Sequence, residues 1–181
     1  QKRGSNFTTA YFADMQLDLL DVRARELVPN ILQSLKSQPQ HERLETAIKL
    51  LSDWDYVATT DSKAACILYP LLEKRSHIQF METVLGKSPL ITTMSSIAPA
   101  LNRFDISHFM AEGSPWRAHR DTLDKIIADN VIAIVDYLTT NYADDWSWGK
   151  IHQIHFGHSL RKHKPWQAMQ VGPDPIGGSA T

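Results

Sequence analysis

Cysteine occurs once in this chain of 181 residues, at Cys66, so an internal disulfide is excluded and the four-ligand Cys or Cys-plus-His zinc frameworks are absent. A lone thiol leaves the compartment open, because many exported proteins also lack disulfides. An excess of charge is missing too. Nineteen Lys and Arg face 20 Asp and Glu, for a formal net charge of -1, which leaves no basic field for nucleic acid and no acidic tail. Long apolar runs are also lacking. The richest stretch, Val131 to Leu138, is interrupted by Asp136 and falls well short of the ~20 residues that cross a bilayer. Neither a nucleic acid nor a membrane is therefore expected as a partner. The chain opens on Gln1 without the basic head and apolar middle of a signal peptide, which suggests a terminus that has been processed, cut or engineered.

Glycine is scarce up to Trp148 and then concentrated: five of the eight glycines lie from Gly149 onward, beside Pro165, Pro173 and Pro175. The chain divides accordingly into a helical region over 1–148 and a strand- and loop-rich tail over 149–181, within one domain-sized unit. In the first part apolar residues recur at i, i+3, i+4 and i+7, the spacing of one helix face. Ala24, Leu27, Val28, Ile31, Leu32 and Leu35 make one stripe. Leu44, Ala47, Ile48 and Leu51 make another, opened near Pro39, and Ala64, Ile67, Leu68, Leu71 and Leu72 a third, with Thr60, Asp61 or Ser62 available as its cap. The longest carries Leu123, Ile126, Ile127, Ile134, Val135 and Leu138, from near Asp121 to near Asn141. Shorter helices are expected around His77 to Leu85 and Met94 to Phe104, and a short strand over Ile151 to Phe156. Gly and Pro from Val171 onward predict loop. Pro29 and Pro70 sit inside helical stripes, where proline removes a donor, so both helices should kink or restart. The fold class read from these patterns is mainly α, irregular, with a short strand and loop tail.

Candidate chemistry centres on His152, His155, His158 and His163, which crowd beside Trp146, Trp148 and Trp166. A metal site is the sharp reading. Yet a strand would put His152 and His158 on one face and His155 on the other, a helix would let steps of three drift off one face, and no H-E-x-x-H motif is present. The spacing favours imidazoles that hydrogen-bond backbone carbonyls around an aromatic-lined turn. General acid or base work by His152 or His158 is a second use, with no visible nucleophile partner. Asp144, Asp145, Trp146 and Trp148 could form a carbohydrate or cation patch, but a helix C-terminal turn anchored by two indoles accounts for them more simply. Asp18, Asp21, Asp53, Asp55 and Asp61 miss the spacing of a calcium loop and fit helix capping. Ser5, after Gly4, has the form of a self-processing junction that frees a catalytic N-terminal serine. The helical pattern that follows, in place of a buried strand, argues against it. Asn6-Phe7-Thr8 is a formal glycosylation sequon.

Several strings together resemble one family. Phe12-Ala13-Asp14-Met15-Gln16-Leu17-Asp18, then Arg23-Ala24 through Val28-Pro29-Asn30-Ile31-Leu32, Leu51-Ser52-Asp53-Trp54-Asp55 and Asp61-Ser62-Lys63-Ala64-Ala65 are similar in order and spacing to the helical part of the β chain of the penicillin amidase (penicillin acylase) family. Trp146-Ser147-Trp148-Gly149-Lys150-Ile151-His152, His155-Phe156-Gly157-His158 and Gly177-Gly178-Ser179-Ala180-Thr181 continue the likeness. It departs at Ser159, where the family commonly has proline, and in the basic, aromatic stretch from Arg161 to Gln170.

The resemblance implies an amide hydrolase of the N-terminal-nucleophile class, made as a precursor, cleaved into α and β chains and often exported to the periplasm. Its substrates would be penicillins, cephalosporin side chains or acyl-homoserine lactones. A β-chain serine would attack the amide carbonyl, its own amine would carry the proton, and an asparagine with backbone N–H groups would hold the oxyanion. None of those residues matches a position here, so this chain is expected to be an interior, non-catalytic segment of the β chain, inserted in the parent fold. Its expected partners are the missing α chain and the remaining β-chain segments, with self-association through apolar surface left uncovered. No cofactor or metal is assigned to this chain, while the parent family allows calcium. The competing reading is a stand-alone helical binding module whose Trp and His cluster takes a partner or a metal.

Overall fold

The computed structural model describes residues 8–74, 76–89, 111–157 and 170–179. Helices α1 (Thr9–Gln16), α2 (Val22–Lys36), α3 (Glu42–Ser52), α4 (Ala65–Glu73) and α5 (Ser76–Leu85) are followed by a 3-10 turn over Pro115–His119 and by α6 (Arg120–Tyr142). A single-turn helix α7 (Trp148–Ile151) then leads into strands β1 (Gln153–Phe156) and β2 (Val171–Pro175). The mainly helical class agrees with the sequence reading. The expected helix over Met94 to Phe104 lies outside the described residues.

Helix α6 is the axis. It touches α2, α3, α4 and α5, burying Leu123, Ile127, Val131, Ile134, Val135 and Leu138, while Ile126 and Ile132 are half-buried against the same core. A helix surrounded on several sides needs apolar residues on more than one face, which is why its pattern is broader than a single stripe. The stripe of α2 is buried as its spacing requires, through Ala24, Leu27, Val28, Ile31 and Leu35. Helix α3 contributes Leu44, Ala47 and Leu51, and α4 a continuous run from Ala65 to Tyr69. Each such leucine or isoleucine moved from water to this interior contributes roughly 1.5–3 kcal/mol.

Local signals set most helix starts. The Asp21 carboxylate accepts from the Ala24 N–H at 2.9 Å and caps α2. Ser62, among the three residues proposed for α4, accepts from the Ala65 N–H at 3.2 Å. Helix α3 begins later than expected: Pro39 precedes it, and the His41 ring nitrogen caps it by accepting from the Arg43 N–H at 3.1 Å. Asp53 is the C-cap of α3, and Asp18 and Asp55 close short turns by accepting from Leu20 and Val57 N–H at 2.9 Å each. Pro29 and Pro70 do not restart their helices; both are interior residues of an assigned helix. At Pro29 the cost is reduced because Pro29 and Arg25 are exposed, so water can reach the carbonyl of Arg25 that proline leaves without its helical donor.

The tail needs correction. Val171 to Pro175 is a strand and not a loop, paired antiparallel with β1 through Gln153 opposite Pro175, Ile154 opposite Asp174 and Phe156 opposite Val171. The register slips between Ile154 and Phe156, and Gly172 sits at the slip with φ of +90°, where an added Cβ would lie 2.3 Å from the Ile154 carbonyl oxygen. Glycine is required there by both space and backbone angle. A short strand that bulges at Gly172 and carries two prolines hides its strand character from composition.

Helix α6 ends at Ala143, a non-glycine residue with φ 50° and ψ -128°. That region is sterically costly for any residue with a Cβ. Ala143→Gly is expected to raise stability by about 1 kcal/mol, the relieved strain less the added freedom of the unfolded chain. Urea titration followed by circular dichroism checks it; a loss of stability would mean that the turn is not strained.

Candidate functional site

The turn after α6 brings together the residues that the sequence singled out. Trp146 and Trp148 are only 4% and 3% exposed, so both indoles are anchors and little of either is left to meet a ligand. Lys63 lies 5.6 Å from the Trp146 ring centre and donates to the Asp144 carbonyl at 2.6 Å, holding the turn to the start of α4. Asp145 pairs with Lys150, and the hydrogen bond from that ammonium lowers the Asp145 carboxyl below its ordinary range.

Trp148 is the centre of a longer chain of contacts. Its indole N–H donates to the Gly178 carbonyl at 2.8 Å, and its ring lies 4.7 Å from Tyr69 and 4.6 Å from His152, the latter stacked at 21°. The His152 Nδ1 lies 3.1 Å from the Ile176 carbonyl oxygen, a contact in which Nδ1 must carry the proton. The Tyr69 hydroxyl donates to Asp21 at 2.9 Å; burial first, and then this bond, pushes the phenol well above its usual range. Backbone bonds run alongside: Trp148 N–H to Ser62, Gly149 N–H to Thr60 and Gly178 N–H to Ala58. Glycine permits the approach, since a Cβ at Gly149 would lie 2.9 Å from both Pro175 and Thr60 side-chain carbons. The arrangement ties the β ribbon to the starts of α2 and α4. Chemically it is a clamp, its described side chains bonded to one another and to backbone carbonyls.

Of the four histidines the structure describes His152 and His155, and it puts these two to different uses. His152 bonds a carbonyl inside an aromatic-lined turn, His155 is exposed on β1, and His158, His163 and Trp166 lie outside the described residues, as do Ser5 and Asn6. No group of three or more His, Cys, Asp or Glu that could hold a metal is found among the described residues. Cys66 is buried in α4, and burial pushes its thiol up to about 12. At neutral pH it stays protonated and a poor nucleophile.

Sequence reasoning missed one polar cluster. Asp124, 5% exposed, accepts from Ser34 Oγ at 2.6 Å and from Arg120 Nε at 2.6 Å, with Ser37 Oγ 3.5 Å from its second oxygen. Arg120 also reaches Ser34 Oγ at 3.4 Å. The signal was present: Ser34 follows Ile31 by three and Leu27 by seven, and Asp124 precedes Ile127 and Val131 by the same steps, so each occupies a core-facing helical position. Beside Ser37 an open groove of about 550 Å³ is lined by Pro29, Leu32, Gln33 and Lys36. It is a surface depression lacking an acid–base pair, and the cluster reads as a buried crosslink between α2 and α6.

A family model described as penicillin amidase matches residues 1–181. No curated protein and no solved structure matches the chain.

Proposed function

On the premise that this chain belongs to the penicillin amidase family, whose members hydrolyse amide bonds, we propose that it is a non-catalytic helical and ribbon segment of such an enzyme's β chain. In the complete enzyme an N-terminal serine on the remaining polypeptide attacks a linear amide, of the β-lactam side-chain or acyl-homoserine lactone type, and passes through an acyl-enzyme. The α chain and the other β-chain segments are its partners, in a periplasmic or secreted enzyme. Among the described residues no helix is long and apolar enough to cross a membrane.

The observation that carries this reading is the use to which the family-like motif is put. Trp148 is committed to Gly178, His152 to Ile176, and Trp54 to the Val57 carbonyl at 3.0 Å. Side chains spent on internal bonds support the scaffold and leave catalysis to groups elsewhere, since activity follows the site and not the ancestry.

The test is a chromogenic acyl-anilide assay on the purified chain beside the complete enzyme. The chain alone is expected to release aniline at the buffer rate, and its Ser5→Ala variant at the same rate, while the complete enzyme turns over and loses activity when its N-terminal serine is replaced by alanine. Turnover by the chain that Ser5→Ala removes would overturn the non-catalytic assignment. A complete enzyme indifferent to loss of that serine would overturn the mechanism.

A further inference from the structure

Two histidines use the same ring atom in opposite senses, and from this we propose that the start of α3 is an acid-sensitive joint while the ribbon clamp is not. His41 Nδ1 accepts from the Arg43 N–H at 3.1 Å and so caps α3, which requires that Nδ1 carry no proton. His152 Nδ1 lies 3.1 Å from the Ile176 carbonyl oxygen, where it can only donate. A second proton therefore has unlike consequences. On His41 it occupies the lone pair that caps the helix, whereas on His152 it enters at Nε2 and leaves the Nδ1–H bond in place. Histidine is the side chain that makes this change of charge between about pH 8 and pH 5.

Charge sharpens the difference. His41 stands at the positive end of a helix of 11 residues, where an imidazolium is repelled. The other charged groups at this end are Glu42, Arg43 and Glu45 of α3, Lys36 at the close of α2, and Asp136 of α6. Glu42 and Glu45 are exposed and attract the imidazolium, so the ring has a place to go once it leaves the N–H. His152 is differently placed: its ring is stacked on Trp148 at 4.6 Å, and a cation over an indole is held there. Lys150, two residues earlier, is engaged with Asp145.

The joint is bounded on its inner side. Arg43 Nε donates to Asp136 of α6 at 2.7 Å, a bond in which the imidazole takes no part, and the next residue, Leu44, is 3% exposed in the core. Loss of the cap therefore loosens Pro39 to Glu42, the link from α2 and the first residue of α3, without opening the packing of α3 on α6. Pro39, Gln40, His41 and Glu42 are all exposed. An exposed link released from its helix is where a protease enters a folded domain, so acid selects this link for cleavage.

A proton–nitrogen NMR titration of the whole chain, from about pH 8 to about pH 5, tests this. The Arg43 amide shift is expected to move with the His41 ring signal, and its protection from exchange, corrected for the intrinsic effect of pH, to fall roughly fivefold, the worth of one N-cap. The Gly178 amide, bonded to the Ala58 carbonyl at 2.8 Å, is expected to keep its protection throughout. His41→Asn supplies an acceptor that does not titrate, so it should hold Arg43 protected over the whole range. His41→Ala should leave it unprotected at both ends. An Arg43 amide that ignores the His41 titration, an unchanged acid response in His41→Asn, or a Gly178 amide released together with Arg43 would overturn the proposal.

Discussion

Trp148→Ala is expected to lower the unfolding free energy by about 3–5 kcal/mol, the range for deleting a large buried aromatic side chain. The site is unfavourable for recovery. His152 stacks on the indole and Tyr69 packs against it at a tilt, and the Gly178 carbonyl would lose its donor. A cavity between two elements far apart in the chain cannot close without moving one of them. The ribbon, bound to the helices mainly by this junction, should therefore become the first part cleaved in limited proteolysis. Trp148→Phe separates the contributions: most apolar contact is kept and the Gly178 bond is lost, for a cost of about 1–3 kcal/mol. Urea titration monitored at 222 nm measures both. A loss below about 1 kcal/mol for the alanine variant would show that the ribbon is held by other contacts.

Arg120→Ala is expected to cost roughly 2–4 kcal/mol, because it leaves the Asp124 carboxylate with Ser34 and Ser37 and no cation in a nearly dry position. Arg120 is itself 25% exposed, so water entering the vacated space offsets part of the loss and places the effect toward the lower end of that range. The matched variant Arg120→Ala with Asp124→Leu should recover more than half of it, since removing both charges deletes the desolvation penalty together with the attraction. Equal destabilisation in the single and double variants would mean that Arg120 acts through packing of its aliphatic stem. The same urea titration decides between the two outcomes.

These two sites differ in how far they could be read in advance. The helices were legible because burial on one face imposes a 3.6-residue period, and Leu27, Ile31 and Leu35 obey it. Trp146 and Trp148 were legible as anchors, since indoles beside a helix end are most cheaply placed in the interior. Asp21 was legible as a cap because a carboxylate one residue before a helix can reach a free N–H. Strand β2 was not, because its pairing depends on β1 while its own glycine and prolines read as loop, a geometry that no local propensity contains. His155 was grouped with His152 through closeness in sequence, whereas the chain turns them to different uses: one is stacked on Trp148 and the other is exposed on β1.

By itself, the sequence determined the mainly helical class, the amphipathic elements, the indole-anchored turn and the likeness to the penicillin amidase family. All of these depend on residue type and spacing along one element, where each side chain's preference acts within a turn or two. Tertiary structure alone decided that His152 and Trp148 are bound to carbonyls of residues 176 and 178, that Ser34 of α2 meets the Arg120–Asp124 pair of α6, and that β2 pairs with β1. The physical reason is common to them. Hydrogen bonds and charge pairs are fixed by distances of a few ångströms between groups tens of residues apart, and only the packed helices around α6 set those distances.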